Sequence, residues 1–262
     1  MKKDIQYNSR IIISRTDGLG DVLLTLPAAG VLKRYFPECK ITFLGRAYTQ
    51  LLVERCVHID NFLDWDALKL KNEKERLAAI DEVNATVIIH VFPVKEIAVL
   101  AKKAKIPLRI GTSHRLYHLS SCNKLVNLGR KNSGFHEAQL NLMLLKPLGI
   151  TEKFTKESIP EYYGLVKPGL SNPFQKYLDK ERFNLILHPK SKGSAREWGL
   201  NNYRRLIEIL PSGQFRIFIT GTEEEGKIIR KILPGSSSDV TDLTGKMDLA
   251  GLIDFIGMAD GI

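Results

Sequence analysis

Apolar and polar positions fall into blocks along this chain, and the period of the blocks changes in a regular way. Short apolar runs that suit buried strands stand at 10–14, 40–45, 60–64, 86–91 and 107–110. Helical patterns lie between them at 20–36, 47–55, 73–82 and 94–104. A further helix is predicted over 135–148, with Leu140, Leu144 and Leu148 on one face and Gly149 as its stop. Residues 151–182 break the pattern: Pro160, Pro168, Pro173, Gly164 and Gly169 read as a linker with one short strand near 162–166. Strands then follow at 184–188, 215–220 and 239–243, with helices at 200–210, 223–233 and 248–258.

Alternating strands and helices predict βαβ units and parallel sheets. The reading is an α/β chain of two domains, 1–160 and 183–262, joined by a linker at 161–182. The second domain shows only three βα units where a doubly wound domain usually carries about five or six strands, so it is expected to be incomplete. Pro27 removes a donor inside the first helical stretch, which predicts a kink or a restart there.

Composition narrows the class. With 44% hydrophobic and 26% charged residues, the chain reads as an ordinary globular protein. No apolar run reaches the ~18 residues of a membrane span, and the start lacks a secretory core, so a cytoplasmic location is expected. Cys39, Cys56 and Cys122 are far apart and in no Cys-x-x-Cys pattern, which argues for reduced, partly buried thiols rather than a disulfide or zinc framework. The net charge is +10, and most of it sits between Lys95 and Lys131, where nine Lys or Arg face one acid, Glu96. Such a block suits an anionic partner, or else is a solvated basic face.

Candidate chemistry clusters at strand ends. Gly18-Leu19-Gly20-Asp21 follows the first strand; its glycines permit a tight turn and close approach of a ligand to the backbone. Asp21 is either a helix-start carboxylate matching the dipole or a base able to take a proton from a substrate hydroxyl. Asp17 reads as a turn residue. The dinucleotide fingerprint is absent, since Leu23 stands at the third glycine position. His188 to Ser194, which includes Ser191 and Lys192, follows a strand and precedes Ala195-Arg196-Glu197-Trp198; this polar loop is either solvated or phosphate-binding. Glu223 sits at a helix start after a strand, where a carboxylate balances the dipole or holds ribose hydroxyls. His114 and His118 lie four apart without a third ligand nearby, so no metal site is expected. His90 at a strand end reads as a satisfied, partly buried histidine more readily than as a catalyst.

Taken in order, these pieces resemble the lipopolysaccharide heptosyltransferase family, glycosyltransferase family nine. Arg15 to Pro27 is similar to that family's N-terminal motif, Arg109-Ile110-Gly111 to its fifth-strand exit, and His136-Glu137 with Asn141 and Leu145 to the helix before its linker. His188 to Trp198, Gly221-Thr222-Glu223 and Asp242 to Gly245 fall where its donor domain carries like pieces. The resemblance implies a GT-B-like architecture of two Rossmann-like domains, the C-terminal one incomplete. It implies inverting, metal-independent transfer of a heptose or related sugar from an ADP-sugar, with no cofactor, to an anionic lipopolysaccharide inner-core acceptor, and peripheral contact with the anionic inner-membrane surface. Asp21 would be the general base. Ser191, Lys192, Arg196 and Glu223 would bind the donor, and Gly18, Gly20, Arg109 and Arg115 the acceptor. The family pattern continues with an Asp-Thr/Ser-Gly-x-x-His motif that does not occur before Ile262, so poor donor binding and little or no transferase activity of this chain are expected. The alternatives are a catalytically silent GT-B-like fragment that binds an anionic glycolipid, and a basic nucleic-acid-binding α/β protein. Tyr117 is the one aromatic between Lys95 and Lys131, which gives the latter no stacking platform.

Overall fold

Ile11, Ile12 and Ile13 are fully buried, so the first strand is covered on both faces, as a central parallel strand must be. The computed structural model describes residues 9–129, 133–166, 173–191, 196–233 and 239–262, which divide into two compact units, Met1–Val166 and Lys167–Ile262.

In the first unit β1 (Arg10–Ser14), β2 (Lys40–Gly45), β3 (Asn61–Asp64), β4 (Val87–His90), β5 (Leu108–Thr112) and β6 (Lys124–Val126) form one sheet. Its order is β3-β2-β1-β4-β5-β6, and every pairing is parallel. This is the doubly wound order, which reverses direction between β1 and β4 and leaves a crevice at their carboxyl ends. The helices are α1 (Leu19–Leu23), α2 (Leu26–Tyr35), α3 (Gln50–Glu54), α4 (Trp65–Lys69), α5 (Glu73–Glu82), α6 (Lys95–Lys103), α7 (Leu116–Ser121) and α8 (Glu137–Met143). One face of the sheet packs Ile12, Leu44 and Ile88 against Trp65, Ile80, Ile97 and Leu100 from α4, α5 and α6.

The predicted helix 20–36 is two helices, α1 and α2, and Pro27 lies in the first turn of the second, where its missing N–H costs nothing. The helix predicted over 135–148 is α8 followed by a 3-10 turn at Lys146–Leu148, and Gly149 closes it with φ of 87°. The strand expected near 162–166 does not form. Ile159–Tyr162 is 3-10 helix, and Leu165 makes one antiparallel bridge to Cys56. These residues pack within the first unit: Gly30 of α2 comes so close that a Cβ there would stand 2.1 Å from the Tyr162 carbonyl oxygen.

In the second unit β7 (Phe183–Leu187), β8 (Phe215–Ile219) and β9 (Val240–Asp242) form a parallel sheet in that order, with α9 (Leu200–Ile209), α10 (Glu223–Ile229) and α11 (Leu249–Met258). Gly261 makes a parallel bridge to Leu185, on the side of β7 away from β8, and its carbonyl accepts from the Ile186 amide at 2.8 Å. The described strands of this unit thus repeat the opening order of the first. Cys39, Cys56 and Cys122 are buried free thiols, and burial pushes the Cys39 and Cys122 thiols up to about 11.

Candidate active site

The first residue after β1 is a buried arginine. Arg15 Nε donates to Asp17 at 2.7 Å and one Nη to Glu137 at 3.2 Å and Asn141 Oδ1 at 3.3 Å, while the other Nη makes an ion pair with Asp21 Oδ1 at 2.8 Å. A guanidinium out of water requires such partners for its fan of donors. The chain supplies them from both ends of the unit, since Glu137 and Asn141 belong to α8.

These contacts close into a ring. Arg15 holds the Asp21 carboxylate, the Thr25 hydroxyl donates to the Asp21 carbonyl at 2.8 Å, and Asn141 Nδ2 donates to the Thr25 hydroxyl at 3.3 Å and to the Leu24 carbonyl at 3.0 Å. Asn141 Oδ1 then accepts from Arg15 and completes the circuit. Asp21 is fixed through its side chain and its main chain alike, yet its side chain is 45% exposed. Gly18 is the N-cap of α1 and makes no side-chain cap bond, and Gly20 has open space where a Cβ would be. Burial pushes the Asp17 carboxyl above its ordinary value, Arg15 opposes the shift, and the neighbouring Asp21 charge adds to it.

One strand away, a pocket of about 360 Å³ opens at the ends of β4 and β5 and is lined by His90, Phe92, Thr112, His114 and Arg115 among others. His90 is fully buried and, among the described residues, neither of its ring nitrogens has a hydrogen-bond partner, which differs from the satisfied histidine expected. Burial pulls it down to about 3, with the neighbouring His118 acting the same way, so the ring is neutral. His114 lies outside α7 and pairs with Asn127, while His118 Nδ1 faces the Thr112 carbonyl, so the two do not share a helix face. Among the described residues no group of three or more His, Cys, Asp or Glu is placed to hold a metal ion. Arg115 is exposed at the N-cap of α7, beside the pocket. Arg109 is engaged elsewhere: its guanidinium donates to the carbonyls of Ser121 and Ile106 and braces the loops around β5.

The second unit has a comparable centre at Arg230, the C-cap of α10. It donates to Glu223 at 2.6 Å, Asp242 at 3.1 Å and the Thr244 hydroxyl at 2.8 Å. Glu223 opens α10 behind the N-cap Thr222, which forms a capping box with Glu225. Gly245, at φ of 72°, lies against Glu223: a Cβ there would stand 2.3 Å from Glu223 Oε2. His188 Nδ1 and the Thr220 hydroxyl are 3.0 Å apart at the exits of β7 and β8. The Ser191 amide donates to Glu197, which also pairs with Lys190. Arg196 is exposed in the loop before α9, and Lys192 lies outside the described residues.

The sequence singled out Asp21 and Glu223 as candidates and assigned no role to Arg15 or Arg230, the arginines paired with them. A charged residue directly after a strand with a wholly apolar centre, as Arg15 follows Ile11-Ile12-Ile13-Ser14, is the signal that marks the first. Arg230 has no comparable local sign.

Residues 78–262 match glycosyltransferase family 9 (heptosyltransferase). A candidate glycosyltransferase of Haemophilus influenzae is 27% identical over 210 residues, covering 76% of this chain and 59% of that protein, so the chain spans less than two thirds of the relative's length. Among solved structures, a family 9 glycosyltransferase of Veillonella parvula matches with a TM-score of 0.76 at 20% identity, over 96% of this chain and 73% of that one. The Escherichia coli ADP-heptose lipopolysaccharide heptosyltransferase II gives 0.70 at 16% identity, over 95% and 76%. The Escherichia coli heptosyltransferase WaaC with ADP-2-deoxy-2-fluoro heptose gives 0.68 at 18% identity, over 94% and 79%. At these identities the structural likeness is one of fold.

Proposed function

Because the chain belongs to glycosyltransferase family 9, we propose that it transfers a heptose or a related sugar from an ADP-sugar to a hydroxyl of an anionic lipopolysaccharide inner-core acceptor, with inversion and at the cytoplasmic side. The observation that carries this reading is the closed ring around Asp21. It holds one carboxylate oxygen on Arg15 and leaves Oδ2 without a partner among the described residues, at the carboxyl end of β1.

Asp21 Oδ2 takes the proton of the acceptor hydroxyl as that oxygen bonds to the anomeric carbon. The bond from that carbon to the diphosphate oxygen breaks on the opposite face, and ADP leaves with the electron pair. Arg196, with Ser191 and Lys192, supplies charge and donors to the diphosphate, in place of any resident cofactor. Glu223 Oε1 is held by Arg230, and Oε2 accepts from a ribose hydroxyl. On the acceptor side the backbone at Gly18 and Gly20 admits the sugar, open at Gly20 and beside Asp21 Oδ2 at Gly18, and Arg115 meets its anionic groups. Arg109 contributes by fixing the loops that carry them.

The test is turnover of ADP-heptose with a phosphorylated acceptor. Asp21→Asn is expected to lower kcat at least ~100-fold while ADP binding is unchanged. Full activity in that variant sinks the assignment of Asp21. Binding of ADP and acceptor without turnover by the unaltered chain supports the alternative of a silent glycolipid-binding protein.

A further inference from the structure

At the carboxyl end of the first sheet, polar residues replace the apolar pattern of the central strands. Ser14 and His90 stand two residues beyond Ile12 and Ile88, and so on the face that packs against α4, α5 and α6. They are partners in the register of β1 with β4, so their side chains lie side by side. The next place in this row, on β5, is Gly111. A Cβ there would stand 2.6 Å from His118 Nδ1, so the absent side chain makes room for that ring. The His90 and His118 ring centroids are 5.5 Å apart.

Ser14 Oγ, both ring nitrogens of His90 and His118 Nε2 are buried without a hydrogen-bond partner among the described residues. Buried polar groups are paired as a rule, so a row of such atoms on neighbouring strands points to an occupant. His90 also lines the pocket of about 360 Å³, whose walls are Val91, Phe92, Pro93, Leu128 and Leu144. Apolar walls around a few polar atoms are the make-up of a small-molecule site. The polar atoms restrict what fits. His118 Nδ1 faces the Thr112 carbonyl and so carries the ring proton, which leaves Nε2 an acceptor. The His90 ring, kept neutral by burial, offers one donor and one acceptor. A carboxylate supplies acceptors alone and an ammonium donors alone, whereas a hydroxyl supplies both.

We propose that this pocket binds an uncharged sugar ring, with the C–H faces of the ring on the apolar walls and a hydroxyl on His90. A buried imidazole that needs a hydroxyl discriminates against rings lacking one, because its nitrogens are then left unpaired. The transferase reading meets the acceptor through charge at Arg115 and gives His90 no part. The sugar contact is additional to it and is measured without donor or turnover, so the two fail separately.

The experiment is a titration of the full chain with the methyl glycosides of mannose, galactose and glucose, followed by NMR of the histidine rings. Acetate and sulfate, which offer acceptors alone, are the controls. At least one glycoside is expected to shift the His90 ring signals saturably, while the two anions leave them in place. His90→Phe keeps a ring and removes both nitrogens, and is expected to weaken glycoside binding at least ~10-fold. Phe92→Ala, at a half-buried wall position, is expected to weaken it ~5-fold and carries the test if circular dichroism shows the first variant unfolded. His90 signals that no glycoside moves overturn the proposal, as does glycoside binding that folded variants leave unchanged. Equal shifts with acetate or sulfate overturn it too, since the pocket would then be an anion site.

Discussion

Asn141 touches no reacting atom, yet it closes the circuit that holds Asp21. It is a positioning residue. Asn141→Ala removes bonds to a buried guanidinium and to Thr25, so a stability loss of about 1–3 kcal/mol is expected in urea denaturation. In the turnover assay kcat is expected to fall ~10-fold with little change in KM, because an acceptor would still bind while the carboxylate loses its aim. His90 sets a second residue-scale expectation. Its folded value of about 3 lies below the ordinary 6.5, with burial the first cause, so the unfolded chain takes up the proton first as pH falls. The contribution is complete above pH ~6.5 and lost toward pH ~3, at up to ~1.4 kcal/mol per pH unit. His118, also pulled down by burial, acts in the same direction. Denaturant titrations between about pH 7 and 4 should show this slope, and His90→Leu should flatten it.

Among elements, the tightest constraint is where α2 meets the Ile159–Tyr162 turn. Gly30→Ala must displace the Tyr162 backbone, and overpacking of this kind costs about 1–3 kcal/mol, readable as a lowered Tm. Such contacts also decide what the sequence could disclose. Strands β1 and β2 were legible residue for residue, because a strand buried on both faces is a largely apolar run. Helix α5 was legible from its helical pattern over 73–82, and the structure adds the Asn72 capping box that starts it. Strand β6 was missed because it is three residues long, on an edge, and begins with two exposed residues, Lys124 and Leu125. Helices α4 and α7 are only five and six residues long, too short to show a period. The expected strand near 162–166 gave way because Ile159 and Tyr162 are buried in a 3-10 turn within the first unit instead. The site followed the same rule. Asp21 stood out in its glycine turn, whereas Asn141, which closes the ring around it through Arg15, lies 126 residues from Arg15, beyond any local pattern.

At the scale of the whole chain, donor and acceptor chemistry are assigned to different units, and this is open to measurement. At ~100 times its Kd, ADP should stabilise the unit that binds it by about 2.7 kcal/mol. Hydrogen exchange should then slow around the exits of β7, β8 and β9, and not around Asp21. Protection centred on β1 would reverse the assignment. The bridge from Gly261 to Leu185 gives this arrangement a scale. With a neighbour on each side, β7 is an inner strand, and the exits at His188, Thr220 and Asp242 become successive treads about 4.8 Å apart. Three treads span on the order of 10 Å, the reach of a nucleoside with its phosphates. The spacing of hydrogen-bonded strands thus acts as a ruler: it can sort ligands by length before any side chain tests their chemistry.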